Sequence, residues 1–156
     1  MAIARSTFPL PDLDDPLTAP FFAAAARDEL AIPWCPMCAN YVWYPEASCA
    51  TCSGELRWRP VSGRGTLFSW AVVERVFLPA FADRVPYVTA LIALEEDPRV
   101  RLCSYLVDAV PGELRADQPC VVVFRDLRFP TVEDESVRVP MFRPTPFGPT
   151  PPRPAP

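Results

Sequence analysis

Two Cys-x-x-Cys pairs constrain this chain more than any other feature. Cys35 and Cys38 form the first pair, and ten residues separate it from Cys49 and Cys52. Each short turn directs two sulfurs at a common point, so the four thiolates can hold one tetrahedral metal ion. An all-thiolate site favours zinc or iron, and zinc is the commoner structural ion. Four sulfurs leave no open position for substrate, so we expect Zn²⁺ to stabilise the fold and not to perform chemistry.

The alternatives for these cysteines are simply buried thiols or a pair of disulfides, and disulfides would suit a small secreted protein. The first ten residues, MAIARSTFPL, lack the continuous apolar segment of a signal peptide. No run of the sequence approaches the roughly 20 apolar residues that cross a bilayer. We therefore expect reduced thiols, no membrane association and a cytoplasmic location.

The ionisable residues restrict the chemistry. All 15 basic residues are arginines, the chain has 19 acidic residues, and it has no histidine. Without histidine, Ser-His and Cys-His nucleophile pairs and His-containing metal sites are excluded. The acidic balance, with a sequence pI near 4.8, opposes a general nucleic-acid footprint. We expect no enzyme activity from the chain alone, and we assign it no catalytic residue.

By sequence pattern we expect four segments: an N-terminal arm and docking helix (1–30), a zinc ribbon (31–56), an OB-fold domain (57–142) and a Pro-rich tail (143–156). Thr18 can cap the helix, Pro20 suits its first turn, and the Ala-rich stretch predicts helix from Phe21 to Leu30. A helix that carries Phe21 and Phe22 side by side must cover them, either on this chain or on a partner.

Within the ribbon, the aromatic stretch 41–44 favours a β-hairpin between the two cysteine pairs. Gly54 follows the second pair and is expected to take the positive φ that lets backbone N–H groups point at sulfur. Asn40 is expected to supply the equivalent turn after the first pair. The aromatic side chains either shield the metal or form a docking face.

The sequence after the ribbon predicts a β domain. Candidate strands, the first of them short, are 57–61, 66–76, 87–94, 100–107, 120–124 and 137–142. About five substantial strands at this spacing suit an OB-type Greek-key barrel. Several strands are apolar on both faces, so the barrel wall must be covered by the helix and ribbon or by a partner chain. The tail from 140 contains eight prolines and is expected not to pair as a central strand.

In this order, the parts resemble a known family of accessory proteins in which a rubredoxin-like zinc ribbon precedes an OB-fold domain, the domain of unknown function thirty-five. The similarity spans roughly residues 8–142. It is carried by the two cysteine pairs and by the motifs Ala19-Pro20-Phe21-Phe22, Pro60-Val61-Ser62-Gly63-Arg64-Gly65-Thr66, Phe68-Ser69-Trp70, Pro86-Tyr87-Val88-Thr89-Ala90-Leu91 and Val121-Val122-Val123-Phe124.

The resemblance implies a non-catalytic scaffold subunit of a thiolase-like enzyme in acyl-CoA and lipid metabolism. A coenzyme A thioester would then bind through the partner complex. Two alternatives stay open. Zinc ribbons and OB barrels also bind single-stranded nucleic acid, and Trp58, Phe68 and Trp70 can stack on bases. Iron in the four-cysteine site would instead indicate a rubredoxin-like electron carrier.

Other reactive residues have structural interpretations. Cys103 and Cys120 lie in apolar strands and are expected to be small core residues. Glu95, Glu96 and Asp97 are adjacent acids in a turn, which is typical of a solvated loop. Three arginines cluster around the join between the ribbon and the β domain, namely Arg57, Arg59 and Arg64. They are interpreted as surface charge or as partners of the many acidic residues, and as alternative ligands for phosphate groups of coenzyme A.

Overall fold

The computed structural model describes residues 11–128 and 136–148. One short helix precedes eight strands. Their bounds are α1 Ala19–Ala25, β1 Leu30–Cys35, β2 Asn40–Tyr41, β3 Arg57–Val61, β4 Arg64–Val73, β5 Tyr87–Leu94, β6 Arg101–Leu106, β7 Pro119–Arg128 and β8 Ser136–Pro144. Short 3-10 helices lie in the β4–β5 and β6–β7 connections, at Pro79–Arg84 and Pro111–Glu113. Among the described residues, no helix combines the length and apolar character needed to cross a membrane.

Helix α1 is shorter than the sequence predicts. Thr18 stands at the N-cap position, but its side chain makes no capping hydrogen bond. The helix ends at Ala25, and Asp28 then takes the left-handed conformation with φ 59°. This turn redirects the chain, so the predicted helical extension to Leu30 is wrong and Leu30 begins β1. Ala25 is buried and Phe21 packs against the hydrophobic core, which is the role expected of a docking helix.

The first sheet belongs to the ribbon and has the order β2-β1-β3, with both pairings antiparallel. Strand β1 pairs with β3 from Leu30 opposite Val61 to Trp34 opposite Arg57. The short strand predicted at 57–61 is therefore present, and it completes the ribbon sheet. The four-segment division itself stays a prediction.

The remaining five strands form a closed barrel in the order β4-β5-β6-β8-β7, which confirms the predicted five-stranded OB-type architecture. The predicted strand at 87–94 has the bounds of β5, and the predicted final strand lies within β8. Strand β8 closes the barrel, because it runs antiparallel to β7 and contacts β6 in parallel at Leu106 and Phe142.

One expectation about the prolines is wrong. Strand β8 extends to Pro144 and pairs with β7 through Pro140 and Pro144. Proline is tolerated because β8 meets β6 at a single register position. Most residues on the β6 side of β8 therefore need no backbone N–H for a hydrogen bond between strands. Residues 149–156 of the predicted tail lie outside the described residues.

The core runs continuously from the barrel into the ribbon. Ile92 of β5 and Phe142 of β8 are fully buried at its centre, and Leu30 and Ile32 of β1 belong to the same cluster. In β5 the residues from Val88 to Leu94 at every second position face inward, in keeping with the alternation of side chains along a strand. The ribbon is therefore anchored to the barrel by apolar contact as well as by the chain itself.

Candidate metal centre

The four cysteines come from the two turns of the ribbon. Cys35 is the last residue of β1, and Cys38 closes the turn that leads into β2. The left-handed residues are Ala39 with φ 50° and Ser53 with φ 57°, each directly after the second cysteine of its pair.

The expectation that Asn40 and Gly54 take these conformations is wrong by one residue in both turns. Gly54 contributes in another way, because a Cβ at this position would lie 3.1 Å from Cys52 Sγ. Its missing side chain lets the backbone approach the sulfur closely.

The sulfur atoms form a compact cluster whose dimensions fit a metal ion. All four Sγ atoms lie within 4.8 Å of one another. The Cys35–Cys52 and Cys38–Cys49 sulfur pairs are separated by 3.5 and 3.9 Å. Zinc–sulfur bonds of about 2.3 Å in tetrahedral geometry place the sulfurs roughly 3.8 Å apart. The donor set and its size therefore suit Zn²⁺ or another tetrahedral thiophilic ion.

Backbone donors and mutual crowding act on the thiols in opposite directions. Backbone N–H groups of Cys52 and Thr51 lower the pKa of Cys49 to about 6. Hydrogen bonding to Cys52, together with burial, raises the pKa of Cys38 to about 12. Four thiolates so close together repel one another, and a divalent cation offsets that repulsion. The cluster is thus organised to be completed by a cation.

The aromatic residues of the ribbon connect it to α1. The ring centroids of Trp43 and Phe21 lie 5.7 Å apart, and Trp43 stacks on Tyr44 at 5.3 Å. Trp43 packs against the core, whereas Tyr44 is exposed. The indole Nε1 of Trp43 is buried and has no hydrogen-bond acceptor among the described residues.

The acidic turn between β5 and β6 is structural. Arg99 donates to both carboxylate oxygens of Asp97, at 2.9 and 2.8 Å, and this hydrogen bonding holds the pKa of Asp97 below its usual range. Asp97 is buried, so the expectation of a wholly solvated loop is wrong at this residue. Glu95 pairs with Arg64 at 2.9 Å.

The two remaining cysteines differ from each other. Cys120 is buried in β7, and burial raises its pKa to about 11, which confirms the small core residue. Cys103 in β6 is exposed, so its prediction as a core residue is wrong. Its side chain lies on the outer face of the barrel, where its Sγ is 3.8 Å from Thr89 Oγ1.

A four-cysteine ribbon joined to a closed five-stranded barrel defines a zinc-ribbon and OB-fold type of protein. The family model described as "ChsH2, C-terminal OB-fold domain" matches residues 58–125. A "DUF35 domain-containing scaffold protein" of Methanothermobacter thermautotrophicus is 32% identical over 96 residues, which are 60% of this chain and 70% of that protein. The chain belongs to the DUF35 family, as the motifs predict.

Other relatives extend the comparison. A "Probable enoyl-CoA hydratase alpha subunit" of Thermomonospora curvata is 31% identical over 126 residues, which are 80% of this chain but 36% of that protein's length. The structure described as "Ltp2-ChsH2(DUF35) aldolase" matches with a TM-score of 0.72 and 28% identity, over 86% of this chain and 98% of that one. A DUF35 protein of Sulfolobus solfataricus shares the fold at 11% identity, with a TM-score of 0.54 over 84% and 87% of the two chains.

Proposed function

We propose that this chain is a non-catalytic accessory subunit of a thiolase-like enzyme that acts on acyl-CoA thioesters. The observation that carries the proposal is the likeness to a chain of the Ltp2-ChsH2(DUF35) aldolase, which extends over 98% of that chain. The scaffold protein and the hydratase alpha subunit among its relatives support the same role. The lack of histidine agrees with a partner that supplies the nucleophile and its base.

The four-cysteine cluster is proposed to hold one structural Zn²⁺ through Cys35, Cys38, Cys49 and Cys52. A closed thiolate shell would fix the ribbon and offer no site for substrate. Elemental analysis of the purified protein should find one zinc per chain and no visible absorption. A red, iron-containing protein would instead support rubredoxin-like electron transfer. A cytoplasmic location is proposed with it, because reducing conditions keep the thiols available to the metal.

Acyl-CoA recognition is proposed to take place through the partner complex. Two of the three arginines considered as phosphate ligands are engaged within this chain. The guanidinium of Arg59 lies 5.0 Å above the ring of Trp34, and Arg64 pairs with Glu95. We therefore assign coenzyme A neither Arg59 nor Arg64.

Two of the three aromatic residues that suggested nucleic-acid binding make contacts within this chain. Trp70 packs against the barrel core. Arg101 lies 3.7 Å above the ring of Phe68, which is 45% exposed, and occupies one of its faces. The two rings therefore do not form a common stacking platform, and no sequence-tolerant binding to single strands is expected.

Co-expression tests the accessory role. The chain is produced with a thiolase-like enzyme of the same organism, and each protein is also produced alone. We expect the two to copurify and the enzyme to be active only in the complex. A Cys35→Ser/Cys49→Ser variant should lose the partner, while Cys103→Ser should retain it. An enzyme that is fully active alone and never binds this chain would refute the proposal.

A further inference from the structure

A concave cavity of about 340 Å³ lies where α1, the ribbon and the barrel meet. Helix α1 contributes Phe22 to its wall, and the segment after β2 contributes Trp43 and Tyr44. The barrel contributes Cys103 of β6 and Met141 of β8. The cavity therefore exists only because three separate parts of the chain pack together.

The lining is uncharged throughout and almost wholly apolar. Two of its hydroxyl groups have partners within the chain, and Ser104 Oγ lies within hydrogen-bond distance of the carbonyl oxygens of Tyr105 and Pro140, at 3.1 and 3.3 Å. Thr18 Oγ1 donates to the carbonyl oxygen of Asp12. A carboxylate or phosphate would find no opposite charge on these walls, and its desolvation would be uncompensated.

One wall residue carries an unused donor. The indole N–H of Trp43 has no acceptor among the described residues, and a buried donor without an acceptor is unfavourable. The Nε1 atom is itself enclosed by protein, so the wall presents almost only carbon to the cavity and suits a hydrocarbon group.

We propose that this cavity binds an uncharged hydrocarbon group of about eight to twelve carbons, either as an alkyl chain or as a fused ring. An engineered apolar cavity of about 150 Å³ holds benzene, so the 340 Å³ here accommodates about twice that volume. The group is either a free aliphatic molecule or the apolar end of a larger one. Concave pockets of this size and apolar lining are typical of small-molecule sites.

The exposed thiol of Cys103 on the wall provides a local readout. The full-length, metal-loaded chain is treated with iodoacetamide, and alkylation of Cys103 is followed by peptide mass spectrometry. Buried Cys120 is the internal control. We expect 1-octanol and octanoyl-CoA to slow alkylation of Cys103 at least fivefold and coenzyme A alone to have no effect. If octanoyl-CoA protects at a lower concentration than 1-octanol, the bound hydrocarbon group belongs to a thioester. If the two protect equally, it belongs to a free aliphatic molecule.

A matched pair of variants separates binding in the cavity from contact elsewhere. Val139→Phe fills part of the cavity, and Ala71→Phe adds the same ring at an exposed position on β4 outside it. Val139→Phe should weaken octanol protection at least tenfold, and Ala71→Phe should leave it unchanged. Should Val139→Phe lose its metal or its circular dichroism spectrum, Leu127→Phe replaces it on the same wall.

The inference fails if octanol gives no protection up to its solubility limit, or if coenzyme A alone protects equally. It also fails if no probe binds but Val139→Phe abolishes copurification with the enzyme, because the cavity would then receive a partner side chain. The probe experiment uses this chain alone, whereas the accessory role is tested by copurification with the enzyme. Either test can therefore fail while the other succeeds.

Discussion

The ribbon and the barrel of this chain are stabilised in different ways. The ribbon turns bury little apart from Cys35 and Cys49, which are themselves candidate metal ligands. The barrel buries a cluster of large apolar side chains, with Ile92 and Phe142 fully enclosed. Short loop-rich segments that lack a core depend on a metal or on disulfides, whereas a closed barrel can be stabilised by apolar burial.

The two regions are nevertheless coupled through β1. Its Leu30 and Ile32 lie in the barrel core, while its last residue is Cys35. The same strand therefore has one end in apolar packing and the other in the metal cluster. Metal loss should release the turns first and the first half of β1 last, and this order can be measured.

The largest expected effect is that of metal removal. Chelation, or Cys35→Ser combined with Cys49→Ser, should abolish amide protection over residues 36–54, since structural zinc contributes about 10–16 kcal/mol to the folding of small zinc modules. Protection in β5 and β6 should persist. Hydrogen exchange with mass spectrometry reads both regions in one experiment. Cys103→Ser is the matched control, and protection of 36–54 that survives chelation would contradict the metal-dependent ribbon.

The next effect tests the barrel. Phe142→Ala should cost about 3–5 kcal/mol of unfolding free energy, because it removes a fully enclosed ring and leaves a cavity. Urea denaturation followed by near-ultraviolet circular dichroism measures the change, and the folded variant should keep its metal. Phe147→Ala removes a ring that is 55% exposed and should change little. Equal losses from the two variants would show that the barrel core is not the source of stability.

A smaller effect is expected at the start of β4. A Cβ on Gly65 would lie 2.4 Å from the carbonyl oxygen of Ala93 in the adjacent strand. Gly65→Ala must therefore separate β4 from β5, and it should cost about 2–3 kcal/mol. Gly112→Ala is the matched control, since no atom lies within 4 Å of its added Cβ. If both variants melt at the same temperature, the strands do not need that close approach.

The patterns predicted by sequence are those that depend on local residue order. The β-favouring run at 87–94 predicted the bounds of β5, and the cysteine spacing predicted a cluster of four sulfurs. Strand β1 was not predicted, because Leu-Ala-Ile-Pro-Trp is short, follows an Ala-rich run and contains Pro33. The left-handed turn at Asp28 that separates it from α1 carries no glycine signal.

Features that depend on tertiary contact were less accessible to sequence reasoning. Residue type favoured Asn40 and Gly54 for the left-handed conformations, yet Ala39 and Ser53 adopt them. The geometry needed to bring four sulfurs together outweighs their local preferences. The apolar cavity was also not predicted, because its walls come from segments far apart in sequence.

The smallest effect concerns an ion-pair link between the turn after α1 and the barrel. Arg138 of β8 contacts Asp28 at 2.5 Å and Asp126 at 3.1 Å. Hydrogen bonding to Arg138 holds the pKa of Asp28 below its ordinary value of 3.8. A carboxylate with a lowered folded pKa stabilises the fold above its ordinary pKa, and this contribution is lost as the pH falls through the lowered value.

Arg138→Gln should therefore lower the melting temperature by roughly 2 °C at pH 7, because exposed ion pairs contribute little. The difference from the unmodified chain should shrink below pH 4 and also in 1 M salt, where the pair is screened. Arg125→Gln serves as the control, because it removes an ion pair with Asp108 in which both side chains are more than half exposed. The difference in melting temperature could instead be independent of pH and salt. Because apolar packing responds to neither variable, that result would mean that the aliphatic stem of Arg138, and not its charge, joins the turn to the barrel.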